Sequence, residues 1–209
     1  LPYKENFSPE YPGAVSLFVK DTLKVSQYIK NTTVFGSTDL KKKFKHRYKN
    51  IPLANLKILS SSNKYVGEFI KLEKKNKSNL IEIHNRPYLV KYVNENIIES
   101  RIILFFHNDP LEMKGSKTVQ DRLNLIHDCA AICFVSNYIK NRFMTDIECN
   151  PNNLSVIYNG INKVPKSSLK KEKEILFIGR LVEEKGAHLF VEAAKILSKK
   201  YQKWNFTLI

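Results

Sequence analysis

At 209 residues, 43% hydrophobic and 11% aromatic, the chain has room for one globular domain and part of a second, and its composition excludes a disordered polypeptide. No apolar run reaches the ~18 residues that a membrane-spanning helix needs, and residues 1–6 (LPYKEN) have neither the basic region nor the apolar stretch of a signal peptide. Lys plus Arg number 35 against 20 Asp plus Glu, a net charge of +15 that implies attraction to something acidic: a phosphorylated substrate, an anionic lipid or a nucleic acid.

Strand-like and helix-like segments then alternate along the chain. Residues 14–28 read as a helix with Val15, Phe18, Val19, Leu23 and Val25 on a broad apolar face. Residues 33–36 read as a short strand, 56–59 as another, and 66–74 as a helix. Leu80-Ile81-Glu82-Ile83-His84 is a strand, and Pro87 opens the helix after it. Residues 102–107 are almost wholly apolar, as in a strand covered on both faces. A helix follows at 118–127, a strand at 131–135, a helix at 137–144 and a strand at 154–158. Residues 163–173 are rich in Lys, Ser and Pro, lack periodicity and read as a linker. A second unit starts with a strand at 175–178 and a helix at 187–199, and Ile209 falls in what reads as the next strand. This alternation predicts an α/β chain with a parallel sheet and helices on both sides, divided as 1–162, a linker at 163–173, and 174–209.

Three cysteines make no even disulfide framework and suit a reducing cytosol. His127, Cys129 and Cys133 lie close together, but a metal site needs a fourth ligand and a matching spacing, and neither is visible; buried thiols are the alternative. The densest basic run, KKKFKHR at 41–47, reads as a solvated loop or as a membrane-surface contact. Nucleic-acid binding lacks an accompanying aromatic-interleaved or helix-turn-helix pattern.

Ligands of open α/β sheets sit beyond the carboxyl ends of the strands. Polar residues recur there: Gly36, His84-Asn85-Arg86, His107-Asn108-Asp109, Ser136 and Asn159-Gly160. The most specific block is EILFIGRLVEEKG at 174–186, an apolar strand ending in Gly179-Arg180, with Lys185-Gly186 just before a helix. Glycine lets backbone approach a ligand closely, a helix N-terminus offers free N–H groups, and two cations stand at the same mouth, as phosphate binding requires. Each residue also has a plainer reading. Arg180 and Lys185 make a solvated pair, His84 a hydrogen-bonded strand end, and His107 a turn cap with Asn108 and Asp109. Gly13 starts a helix, and Asn159 turns the chain with Gly160 at positive φ.

The Gly-Arg…Glu-Lys-Gly block at 179–186 resembles the start of the C-terminal domain of GT-B glycosyltransferases, the retaining group labelled glycosyl transferases group 1 or family 4. Three weaker segments occur in the expected order: VIYNGIN at 156–162, CFVS at 133–136 and PGAVS at 12–16. The resemblance implies a Rossmann-like N-terminal domain whose first strand would precede Leu1, followed by a truncated second domain. It implies a hexosyltransferase acting with retention on a nucleotide-diphosphate sugar donor, with a glycan or lipid-linked acceptor of cell-envelope polysaccharide synthesis. The enzyme would be cytoplasmic, with peripheral contact at the anionic inner face of the plasma membrane, no nucleic-acid partner and no cofactor. The fragment by itself is expected to be inactive and aggregation-prone. Donor diphosphate binding falls to Arg180 and Lys185 with Gly179 and Gly186, and a substrate or phosphate loop to Gly13 and Ala14, although Pro12 replaces one of the paired glycines. His84 is the catalytic candidate that contacts the transferred sugar, with His107 and Asn159 secondary. No metal is expected, because no Asp-x-Asp occurs in the chain. A nucleotide-sugar epimerase of the same fold and a non-catalytic basic adaptor, binding anionic membrane or nucleic acid, are the alternatives.

Overall fold

Among the described residues, six short strands between positions 34 and 156 pair into two parallel sheets. The computed structural model describes residues 1–3, 5–52, 61–161, 163 and 171–209, with only the backbone of Ser61 and Ser62. The candidate strand at 56–59 and most of the expected linker lie outside these. β1 (Val34–Gly36) pairs with β2 (Tyr48–Asn50), while β3 (Leu80–His84), β4 (Arg101–Phe106), β5 (Ala131–Phe134) and β6 (Leu154–Val156) lie side by side in chain order. The helices of this part are α1 (Ala14–Val25), α2 (Ser61–Asn76), α3 (Leu89–Asn96), α4 (Val119–Asp128) and α5 (Asn137–Met144). All belong to the first of two compact units, Leu1–Ile161; the second is Asn162–Ile209.

The two-residue period of a strand sorts the side chains of β3, β4 and β5 into two faces. Ile81 and Ile83, Ile102, Leu104 and Phe106, and Ile132 and Phe134 all join one core with Val66 and Ile70 of α2, Val90 and Val93 of α3, Leu125 of α4 and Phe143 of α5. The rings of Phe106, Phe134 and Phe143 pack mutually at 5.2–5.7 Å. The opposite face carries Glu82, His84, Phe105 and Cys133, and Phe18 of α1 covers Phe105 from there at 5.9 Å. The sheet thus buries one apolar face and carries polar groups, Glu82 and His84, only on the other. A second, smaller core joins Phe7 to Val15, Val19 and Leu23 of α1 and to Val34 of β1.

Local chemistry sets the helix ends. Thr118 and Asp121 cap α4 reciprocally, and the Ser136 hydroxyl accepts from Ile139 N–H at the start of α5, each cap being worth about 1 kcal/mol. α1 stops at Val25, three residues before the expected end, because Ser26 turns extended and its hydroxyl accepts from Tyr28 N–H. Pro87 lies in the turn before α3, whose first residue is Leu89. β4 ends at Phe106 and β6 at Val156, so His107, Ile157 and Tyr158 stand just past their ladders. β2 was not expected, since Tyr48-Lys49-Asn50 follows a basic run and has a single apolar residue. It forms because Val34 N–H donates to Arg47 and Ile51 N–H to Gly36, continuing the parallel ladder. Within the basic run, Phe44 turns inward and packs edge-on against Phe7 at 5.1 Å, so residues 41–47 form an anchored loop.

Gly115 is required by its surroundings. Its φ is +87°, and a Cβ there would stand 2.6 Å from the backbone N and Cα of Tyr88, which cannot move aside as a side-chain tip can. Gly115→Ala is therefore expected to cost roughly 2 kcal/mol and lower Tm by about 4–8 °C in thermal unfolding followed by circular dichroism. An unchanged Tm would mean that the two backbones separate freely.

The second unit contains β7 (Glu174–Phe177) and β8 (Asn205–Leu208), parallel and linked through α6 (Ala187–Lys200). Phe190 of α6 lies between Phe177 and Phe206, at 5.5 and 6.5 Å. No apolar side chain is fully buried among the described residues of this unit, and Ile178, Leu181 and Ile196 are about 70% exposed.

Candidate functional site

The structure brings together two histidines that the sequence offers as competitors. His84 closes β3 and His107 follows β4, and their rings meet with His84 Nδ1 3.0 Å from His107 Nε2. Phe105 stacks on His84 at 4.8 Å, and Phe18 meets His107 edge-on at 4.9 Å. Glu82 Oε2 lies 3.6 Å from His84 Nε2. That carboxylate favours the His84 proton on Nε2, so His107 Nε2–H donates to His84 Nδ1, and His107 Nδ1 keeps a lone pair. Burial holds the His84 imidazole below its ordinary value, against the opposing pull of Glu82. Burial, and then the adjacent His84, bring His107 down to about 4. Both rings are accordingly neutral at pH 7, one serving as donor and one as acceptor. His84 is 4% exposed, whereas His107 is partly exposed, so His107 is the member that a ligand can reach.

The neighbouring strand-end residues hold this pair in place. Asn85 is buried and sits in the left-handed region at φ 51°, which Asn tolerates better than most residues. Its N–H donates to Phe105, and its Oδ1 accepts from His107 N–H at 2.8 Å, locking the ends of β3 and β4 together. Asp109 accepts from Leu111 N–H and pairs with Arg142 of α5 at 2.8 Å.

The start of α1 holds an anion already. Glu5 Oε1 accepts from Val15 N–H at 3.0 Å and Ser16 N–H at 3.2 Å, the free amides of the first turn. A Cβ on Gly13 would lie 1.8 Å from the same oxygen, so this glycine makes room for an internal carboxylate. The position expected to serve a phosphate at Gly13 and Ala14 is thus occupied by Glu5, a residue with no local signal of that role. Asn159 is exposed beyond β6, away from the ladder that positions the histidines, and Gly160 has no positive φ, contrary to expectation. Cys129 and Cys133 are buried, and burial pushes their thiols up to about 12 and about 11. Among the described residues, His127, Cys129 and Cys133 form no convergent metal-ligand group, and His127 instead meets Asp128 at 2.9 Å.

In the second unit, β7 runs out through Gly179 and Arg180, and residues 183–185 form a short 3-10 turn before α6. Gly186 lies at φ 73° and serves as the N-cap, a left-handed position that explains this glycine by itself. No side chain caps α6, whereas α1, α4 and α5 have their first amides occupied. Arg180, before this turn, and Lys185, its last residue, are exposed, and among the described residues neither forms an ion pair. The turn carries two carboxylates, Glu183 and Glu184, as well as these two cations, and the amides that open α6 have no side-chain cap.

Residues 161–209 match the family Glycosyl transferases group 1. The matched segment contains the whole Gly-Arg…Lys-Gly turn. “Putative glycosyltransferase YtcC” of Bacillus subtilis (strain 168) is 25% identical over 58% of this chain and 34% of its own. Among solved structures, Anabaena Alr3699/HepE in complex with UDP and glucose superposes with a TM-score of 0.68 at 17% identity, over 96% of this chain and 58% of that one. The same protein in complex with UDP-glucose gives a TM-score of 0.64 at 15% identity, with the same coverage. The chain therefore spans about a third of YtcC and somewhat over half of HepE. The fold is α/β and Rossmann-like with parallel sheets, as in these GT-B neighbours. Among the described residues, no helix is long and apolar enough to cross a membrane.

Proposed function

We propose that this chain belongs to a glycosyltransferase that takes a sugar from a nucleotide-diphosphate donor. Its first unit would serve the acceptor, and its second would begin the donor-binding domain. The carrying observation is the uncapped start of α6 with Arg180 and Lys185 beside it, inside the segment that matches glycosyl transferases group 1. The complexes of HepE with UDP and UDP-glucose support a donor of this class.

Departure of a nucleoside diphosphate builds negative charge on its terminal phosphate. Fixed cations and backbone amides aimed at that charge stabilise the transition state more than the ground state. Arg180, Lys185 and the amides after Gly186 would do this without a metal ion. The leaving phosphate itself would take the acceptor hydroxyl proton, so that the sugar is delivered on the donor's own face with retention and no protein nucleophile. In the first unit, His107 would meet the reacting sugar, with its Nδ1 lone pair as acceptor. His84 would act as a positioning residue, fixing the His107 tautomer. A substrate or phosphate at the Gly13–Ala14 loop would have to displace Glu5 from the Val15 and Ser16 amides.

The test is thermal stabilisation of the full-length gene product by UDP-glucose and other nucleotide sugars, comparing wild type with an Arg180→Ala, Lys185→Ala double variant. Stabilisation of about 2–3 kcal/mol is expected at a ligand concentration near one hundred times Kd. It should disappear in the double variant. A well-folded wild-type protein indifferent to every nucleotide sugar would defeat the proposal.

A further inference from the structure

Beside the histidine pair, a cavity of about 340 Å3 opens at the carboxyl ends of β3 and β4, in the size range of small-molecule sites. Its lining includes Tyr3, Asn85, Arg86, Tyr88, Glu112 and Lys114. Arg86 is half-buried, its Nη1–H donates to Asn85 O at 2.6 Å, and its guanidinium lies over the Tyr3 ring at 5.9 Å. Lys114 Nζ lies over the Tyr88 ring at 5.4 Å. Both cations are thus held against aromatic faces. Among the described residues, neither is within ion-pair distance of a carboxylate, that of Glu112 included. The backbone beneath Arg86 is fixed as well, because Asn85 is tied to Phe105 and His107. Two cations in a concave site outnumber its one lining carboxylate, Glu112, and suit an anionic ligand, and a half-buried guanidinium presents several N–H groups to a phosphate or carboxylate at once.

We propose that this pocket binds the acidic group, phosphate or carboxylate, of a sugar acceptor, with Arg86 as its principal ligand and Lys114 as the second. This rests on the glycosyltransferase reading for the word acceptor; the anion site stands on the pocket alone. Both cations belong to the first unit, so the site is separate from Arg180 and Lys185.

The experiment is calorimetric titration of the full-length protein with glucose 6-phosphate, glucuronate and glucose. At least one acidic sugar is expected to bind tenfold or more tightly than glucose. That preference should fall about tenfold in Arg86→Gln and about threefold in Lys114→Gln, and should survive in the Arg180→Ala, Lys185→Ala variant. Lys114 is exposed, so its variant reports even if Arg86→Gln fails to fold. Equal binding of glucose and both acidic sugars would overturn the proposal, as would binding unaffected by both pocket variants or abolished only by the double variant. If every nucleotide sugar leaves the protein unstabilised while acidic sugars still bind through Arg86, the glycosyltransferase reading fails and the anion pocket stands.

Discussion

Replacing Arg122 by Met is expected to destabilise the first unit by about 3–4 kcal/mol and lower its Tm by about 6–12 °C. Arg122 is 1% exposed in α4, yet it forms no ion pair among the described residues. Instead Nη1–H groups donate to the carbonyls of Ser116 and Lys117, at 3.3 and 2.9 Å, and Nη2–H to that of Thr145. One guanidinium therefore ties the loop before α4 to the end of α5. Burial lowers its proton affinity, while Asp146 and Asp121 act against that from nearby. Met keeps most of the volume but leaves three carbonyls without their charged donor, and an unsatisfied buried group costs about 1–3 kcal/mol. Lys is expected to recover about half of the loss, since a single ammonium lacks the fork that reaches both sides. Thermal and urea unfolding followed by far-ultraviolet circular dichroism would measure both variants. If Met proved as stable as Arg, the three carbonyls would have to find other donors, and Arg122 would not be the tie between these segments.

A second large effect is expected in acid. The unfolded chain binds a proton on histidine near pH 6.5, whereas folded His107 resists it until about 4. Between those values the unfolded state holds more protons, so stability must fall as the pH is lowered. The contribution is fully present above pH 6.5 and is lost progressively down to about 4. Its size is on the order of 2–3 kcal/mol once the partial exposure of His107 is allowed for. His84, held low by its own burial, acts in the same direction. Urea unfolding of wild type and His107→Asn across this range would isolate the effect. The variant is expected to lose less stability on acidification, and its difference from wild type should approach a slope of about 1.4 kcal/mol per pH unit in the middle of the window. Parallel profiles for the two proteins would mean that the imidazole pair protonates freely in the folded state.

Much of the architecture was legible from periodicity. The run at 80–84, the apolar run ending at Phe106 and the helix at 137–144 carry their patterns within a few residues, and the segments following Thr118 and Ser136 start with their own caps. The Gly-Arg…Lys-Gly turn was legible for the same reason, since a strand end, two glycines and a helix start are neighbours in sequence. β2 was not, because its three residues form a strand only through the edge that β1 offers. Glu5 was not, because its role at α1 depends on bringing together residues ten positions apart. Arg122 reads as an ordinary surface charge on an amphipathic helix, and nothing near it in sequence signals three carbonyl partners.

By itself, then, the sequence determined the alternation of strands and helices, the basic charge and the glycine-flanked turn at 179–186, because each is written in short-range spacing and residue type. The tertiary structure decided which chemistry-bearing groups meet. The parallel pairing of β3 with β4 sets His84 beside Phe105, so that His107, 23 positions away in the chain, comes to share a hydrogen bond with His84. The same pairing leaves Arg86 at a pocket with Lys114, and folding closes Glu5 onto the amides of α1. Such contacts depend on register and burial across distant segments, which no local pattern encodes.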